Sequence, residues 1–249
     1  MMKITPVAKQ LLIINIIFFI GSQLVPVSYD YFNLFFPENP GFRAWQPITH
    51  MFMHGGFVHI AFNMFALYSF GSTLEHFWGG KKFLFFYISC GLGAALINFA
   101  VNYYFYQDAL NVLVNNGFSK VQILDLLNSG KIDTRWQEVL SVSEYKHFME
   151  SYFGNVLGAS GAVYGLLVAF AFMFPNAELG IMFIPIPIKA KYFVPIYMLL
   201  FDGFFGIFGS SFLGVDSGIA HYAHIGGALF GFLIMWYWKK NQFNKNRWN

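Results

Sequence analysis

The chain has 249 residues, of which 57% are hydrophobic, 21% aromatic and only 11% charged, where a soluble domain carries roughly 25% charged residues. With positive mean hydropathy and apolar residues gathered in blocks of about 20, the length that crosses a bilayer core, this composition excludes a water-soluble domain and points to a polytopic membrane protein. The net charge of +3 lies in short segments beside the blocks and forms no nucleic-acid surface, and the single Cys90 rules out an internal disulfide and argues against a Cys-based metal site.

The first block, 8–25, follows Lys3 and Lys9 much as a signal peptide would. No small-x-small cleavage site follows Gly21, and five more apolar blocks come later, so it reads as a retained first helix. A loop of about 26–55 comes next, rich in aromatics (Tyr29, Tyr31, Phe32, Phe35, Phe36, Phe42, Trp45), as suits the membrane interface. Helices two and three are predicted at 56–77 and 83–105. The segment 106–157 then carries amphipathic stretches at 121–127 and 136–148, predicted as short helices on the outer surface. Helix four, 159–174, is the shortest and is stopped by Pro175; Pro185 and Pro187 predict irregular backbone after it. Helices five and six are predicted at 192–212 and 218–238, and there is no internal repeat.

Orientation follows from the basic residues. With the N-terminus cytoplasmic, the inner segments hold Lys3, Lys9, Lys81, Lys82, Lys189, Lys191, Lys239, Lys240, Lys245 and Arg247, opposed only by Glu75 and Glu178. The outer segments hold Arg43, Lys120, Lys131, Arg135 and Lys146 among nine acidic residues. The expected architecture is therefore all-α: one membrane domain over 1–249, six transmembrane helices, both termini cytoplasmic.

Helices two, four and six then all run from outside to inside, and their polar residues crowd into the outer halves: His54, His59 and Asn63, then Ser160, then His221 and His224. Ionisable groups inside a membrane are costly and tend to be functional. Gly158-Ala159-Ser160-Gly161 opens helix four, where a serine meets unpaired N–H groups and the positive end of the helix dipole, a setting that stabilises an oxyanion. On its own this string equally describes a tight helix interface, since Gly161 and Gly165 form a small-xxx-small pair. Gly227 and Gly231 would let helix six pack closely, and if helix four is the partner, His224 can take the Ser160 proton. Tyr164 shares a face with Ser160, and His59 and Asn63 share a face of helix two. Each of these could also serve packing alone. His54, at the loop junction, is expected to organise the loop.

The strings HGGFVHIAFN (54–63), GASGAVYG (158–165) and AHIGGALFG (223–231), in this order and at one depth, resemble the rhomboid family of intramembrane serine proteases. The resemblance runs from helix one to helix six. It implies Ser160 as nucleophile, His224 as general base and acid, and an oxyanion hole of His59, Asn63 and the Ser160 N–H, with Tyr164 stacked on His224. Gly158, Gly161 and Gly227 belong to the matching motifs, and Ala223-His224 with Gly227 selects His224 over His221 as the base, leaving His221 in support nearer the outer surface. It implies transmembrane protein substrates cleaved near their outer ends, a lipid bilayer as surroundings, no nucleic acid and no cofactor. The expected setting is a bacterial-type cytoplasmic membrane with the site open to its outer face. The family's Trp-Arg pair is met only halfway, because Gln46 follows Trp45.

No carboxylate lies near the outer ends of helices two, four and six, which predicts a Ser–His dyad with Asp202 of helix five structural. A zinc protease built on His54, His59, His221 and His224 is the rival chemistry, weakened by the lack of an HExxH motif. A non-catalytic member of the same fold should lack the serine or the histidine, and a transporter should show repeats and paired broken helices.

Overall fold

The computed structural model describes residues 3–181, 184–208 and 221–242. Helix α1 (Pro6–Leu24) begins with proline, whose missing N–H is not needed in a first turn. The first loop folds as α2 (Ser28–Phe32), β1 (Leu34–Phe35), α3 (Gln46–Thr49) and a 3-10 turn (His50–Phe52). The second apolar run is α4 (Phe57–Ala66), a π turn (Leu67–Gly71) and α5 (Ser72–Trp78); α6 (Gly80–Asn115) follows. Beyond it stand α7 (Lys120–Asn128), α8 (Trp136–Val139), α9 (Val142–Phe153) and β2 (Asn155–Val156). After α10 (Ser160–Met173) come β3 (Glu178–Ile181), β4 (Ile184–Lys189), α11 (Ala190–Tyr197), a π-helical stretch (Met198–Phe208) and α12 (His221–Gln242).

Pro6–Leu24, Phe57–Trp78 and Gly80–Asn115 are each long and apolar enough to cross a membrane, and α10 is a shorter apolar helix. The chain is an integral membrane protein. The predicted end of helix five and start of helix six lie outside the described residues.

Three expectations need correction. The architecture is not purely helical. Leu34 and Phe35 pair antiparallel with Val156 and Asn155, and Glu178–Ile181 pairs with Ile184–Lys189 where the prolines predicted irregular backbone. The alternating Ile-Pro-Ile-Pro-Ile is a two-residue period, and proline is tolerated where the ladder needs no N–H. Next, α6 outruns its predicted end at 105 by ten residues. Its apolar face continues beyond residue 105, where Tyr106, Ala109, Leu110 and Leu113 join Ile123, Leu127, Trp136, Phe148 and Tyr152 in a separate core. Finally, the predicted helix 136–148 is split at Leu140. Ser141 accepts from the Glu144 N–H and Glu144 reaches back to the Ser141 N–H, a capping box that starts a new helix.

Glycine sets how closely the central helices approach. A Cβ on Gly227 of α12 would fall 1.8 Å from the Gly161 carbonyl oxygen of α10, and one on Gly231 would fall 2.8 Å from the Gly165 Cα. On the other side, a Cβ on Gly161 would meet that of Ala94 in α6 at 2.5 Å. Backbones touch where other residues would hold them apart, as small-residue stripes permit in membranes.

The loop between α1 and α4 is held by Gln46, which is fully buried. Its Oε1 accepts from the Arg43 and Phe35 N–H groups, and its Nε2 donates to the carbonyls of Gly41 and Tyr31. The Trp45 indole donates to the same Tyr31 carbonyl. An amide in place of the family's arginine thus anchors the loop without a charge.

At the opposite end of the molecule, the buried Glu75 carboxylate accepts from the Val7 and Ala8 N–H groups and from the Thr5 hydroxyl, at 2.9, 2.8 and 2.5 Å. It satisfies orphan donors at the N-terminus of α1 and complements the helix dipole. Glu75→Ala leaves these donors unpaired, at a cost of about 1–3 kcal/mol. Thermal unfolding in detergent should drop by several degrees, and an unchanged Tm would reject the clasp.

His50, also buried, donates from Nδ1 to the Gln46 carbonyl at 2.9 Å, and its own carbonyl accepts from the Gly158 N–H. Burial pushes its imidazole down to about 4, and burial beside His59 brings His54 to about 4 as well. Both are neutral in the folded loop, whereas an unfolded histidine takes up a proton near pH 6.5. Stability is therefore fully present above about pH 6.5 and is lost as pH falls toward 4, by roughly 3 kcal/mol for His50. His50→Gln keeps an N–H for the Gln46 carbonyl but cannot charge. Its Tm should fall less between pH 7 and pH 4.5 than that of the parent; equal falls would acquit His50.

Candidate functional site

The extended loop before α10 ends in Gly158, whose φ of 118° is a left-handed conformation that side chains resist. The chain turns there and Ser160 becomes the first residue of α10, beside N–H groups with no helical partner. The Ser160 hydroxyl lies 2.8 Å from His224 Nε2, a hydrogen bond between the starts of α10 and α12. The Tyr164 ring stacks on the His224 imidazole with centroids 4.2 Å apart and planes 15° from parallel. The structure brings these three side chains together.

His59 lies across the Gly158 turn. A Cβ on Gly158 would stand 2.7 Å from His59 Nε2 and 3.6 Å from Ser160 Oγ, so the imidazole and the hydroxyl flank one Cα. His54 is fully buried against His59, ring centroids 5.0 Å apart, and its carbonyl accepts from the Tyr29 hydroxyl. Asn63 is buried, but its Nδ2 donates to the His59 carbonyl one turn back. One of its two N–H groups is thus committed to its own helix.

Asp202, expected to serve structure alone, stands beside His224. Asp202 is buried within the π-helical stretch, and its Oδ1 lies 2.8 Å from His224 Nδ1 and 2.8 Å from His221 Nδ1. The lack of an acid near the outer ends of helices two, four and six suggested a dyad with Asp202 structural, but helix five runs beside α12 and brings its carboxylate to the imidazole. The signal was present in the sequence. A lone carboxylate inside an apolar run must find donors, and the two histidines at i and i+3 are the nearest that lack an acid. The Tyr164 hydroxyl faces the same carboxylate without closing a hydrogen bond on its buried Oδ2.

Asp202, His221 and His224 offer three potential metal ligands within 4.8 Å of one another. Tetrahedral zinc holds nitrogen and oxygen ligands about 3.3 Å apart. The two N···O separations here are shorter, at hydrogen-bond length, so hydrogen bonds account for the cluster. The four-histidine zinc site is not assembled as a unit: His54 packs on His59, while His221 and His224 share Asp202.

A Rhomboid domain model matches residues 41–124 and 136–241. An uncharacterized mitochondrial rhomboid protein of Schizosaccharomyces pombe is 29% identical over 220 residues, covering 80% of this chain and 52% of that protein. Rhomboid protein 1 of Saccharomyces cerevisiae, also mitochondrial, is 24% identical over 200 residues, covering 78% and 41%. The rhomboid protease GluP of Bacillus subtilis is 33% identical over 60 residues, 24% of this chain and 12% of that protein. The chain thus spans about half or less of the length of the relatives it matches. Mitochondrial relatives dominate, so the expected bacterial-type membrane draws no support from them.

Gly158→Ala forces a methyl group against His59 in a backbone conformation that alanine resists. The reactivity of Ser160 toward a fluorophosphonate should fall about 10²-fold, the penalty typical of ångström-scale misplacement. Parental reactivity would show that the turn is not set by this contact.

Proposed function

The chain belongs to the rhomboid family, and from that premise we propose that it is an intramembrane serine endopeptidase. The observation that carries the reading is the Ser160 Oγ to His224 Nε2 hydrogen bond of 2.8 Å, between two apolar helices. A hydroxyl and an imidazole so paired form an activated nucleophile. In this reading Ser160 Oγ attacks the scissile carbonyl as its proton passes to His224 Nε2. The oxyanion is met by the Ser160 N–H at the start of α10, by His59, and by the second N–H of Asn63; one such donor is typically worth about 10² to 10³ in rate. His224 then protonates the leaving amine, the amine departs, and water reverses the sequence to release the acid.

The wider reading is of one membrane domain over 1–249 with six transmembrane helices and both termini on the basic, cytoplasmic face. The site opens to the opposite face of whichever membrane holds the protein, and the segment 106–157 lies on that side. Substrates are transmembrane or membrane-proximal protein segments that unwind near their outer ends, since a helix hides its peptide bonds. The lipid bilayer is the setting; the reading involves neither nucleic acid nor a cofactor.

The test is cleavage of a single-pass model substrate in detergent or liposomes, alongside fluorophosphonate labelling. Ser160→Ala should abolish both, and His224→Ala should lower cleavage on the order of 10³-fold or more. Labelling that survives in Ser160→Ala, or a parent protein that neither labels nor cleaves, would reject the proposal.

A further inference from the structure

We infer that Asp202 is a positioning residue that works through His224, turning the Ser160–His224 pair into a three-membered relay, with His221 fixing the carboxylate in place. The inference rests on the proposed hydrolytic reading and concerns how its base is prepared.

The argument is one of donors and acceptors. A single oxygen, Asp202 Oδ1, lies 2.8 Å from the Nδ1 atoms of two imidazoles. A protonated carboxyl has one O–H and could donate to only one ring, so at least one ring must donate. An ionised carboxylate accepts both at once. Both histidines then carry their proton on Nδ1, which leaves His224 Nε2 bare and aimed at the Ser160 hydroxyl. The opposite tautomer would present an N–H to Ser160 and could not take its proton. Without Asp202 nothing among the described contacts of His224 selects between the two forms, because the Tyr164 ring meets its face rather than its edge.

Charge adds to tautomer. As Ser160 attacks, His224 becomes an imidazolium, and a buried anion at 2.8 Å stabilises it, as the aspartate does in soluble serine proteases. His221 has a different task. It lies one turn nearer the start of α12, and its bond to the same oxygen orients the carboxylate and disperses part of its charge. Among the described residues, the groups facing His224 are Asp202 from helix five, Tyr164 and Ser160 from α10, His221 on its own helix and His59 from α4. Asp202 is the only anion among them at neutral pH.

The experiment measures kcat, KM and the pH profile of kcat/KM for model-substrate cleavage by the full chain and by Asp202→Asn, Asp202→Glu and His221→Leu. Asp202→Asn should lower kcat by 10²-fold or more with KM within a few-fold, and should move the acid limb down by at least one pH unit, because an imidazolium without its anion sheds its proton more easily. Asp202→Glu should keep the acid limb near its parental position even where misplacement lowers kcat. His221→Leu should move it upward, since the whole of Oδ1 then serves His224 and no second donor competes. A purely structural Asp202 would change the yield or Tm of folded protein and leave the acid limb fixed, and that result overturns the inference. Should Asp202→Asn fail to fold, His221→Leu decides: an unmoved or lowered limb overturns it. Ser160→Ala, run in parallel, separates the two ideas. If it stays active the hydrolytic reading fails, whereas inactivity of Ser160→Ala beside an unmoved limb in Asp202→Asn removes only the relay.

Discussion

The organisation of this protein depends on backbone touching backbone between α10 and α12. Apolar side chains give no hydrophobic preference for one another over lipid, so close approach must come from small residues and van der Waals contact. Gly161 and Gly227 bring the two helices to a distance at which a single methyl group would collide with a carbonyl oxygen. Ser160 is next to the first of these glycines and His224 is one turn from the second. The hydrogen bond between them is thus a by-product of packing: once the glycines are seated, hydroxyl and imidazole have little room to be elsewhere.

A second constraint acts on every polar group in such an interior, namely that it must find a partner within the protein. Asp202 finds two imidazoles, Glu75 finds the first turn of α1, and Gln46 finds four backbone groups of the outer loop. Asp202 and Glu75 tie one helix to another, and Gln46 closes a loop on itself. Charges occur where there are enough donors to hold them, and where an arginine would be expected the neutral amide of Gln46 does the same bridging. Membrane polar residues here mark the joints of the molecule.

The sequence was most informative where period and punctuation agree. The start of α10 at Ser160, its end before Pro175 and the span from Phe57 to Trp78 all follow from apolar runs with clear breaks. Tyr164 beside His224 and the glycine contact of helices four and six were legible because helical spacing fixes what lies on a face. The misses have physical causes too. The extension of α6 was hidden because only one face of its last ten residues, Tyr106, Ala109, Leu110 and Leu113, is buried, against a separate core, so hydropathy falls while helicity continues. The split at Leu140 was written in Ser141 and Glu144 but masked by an apolar period running across it. Asp202 could be recognised as needing donors, but which helix supplies them is a matter of tertiary arrangement.

One feature of the outer segment bears on the turn at Gly158. Leu34 pairs with Val156 and Asn33 donates to the Asn155 side chain, while Asn39 donates to the Tyr152 carbonyl. The strand that delivers the chain to Gly158 is therefore clipped to the first loop two residues upstream, and the Gly158 N–H is held by the His50 carbonyl. Little chain separates the core formed with α7, α8 and α9 from Ser160. Any displacement of that core is passed to Ser160 through a linker the length of a dipeptide.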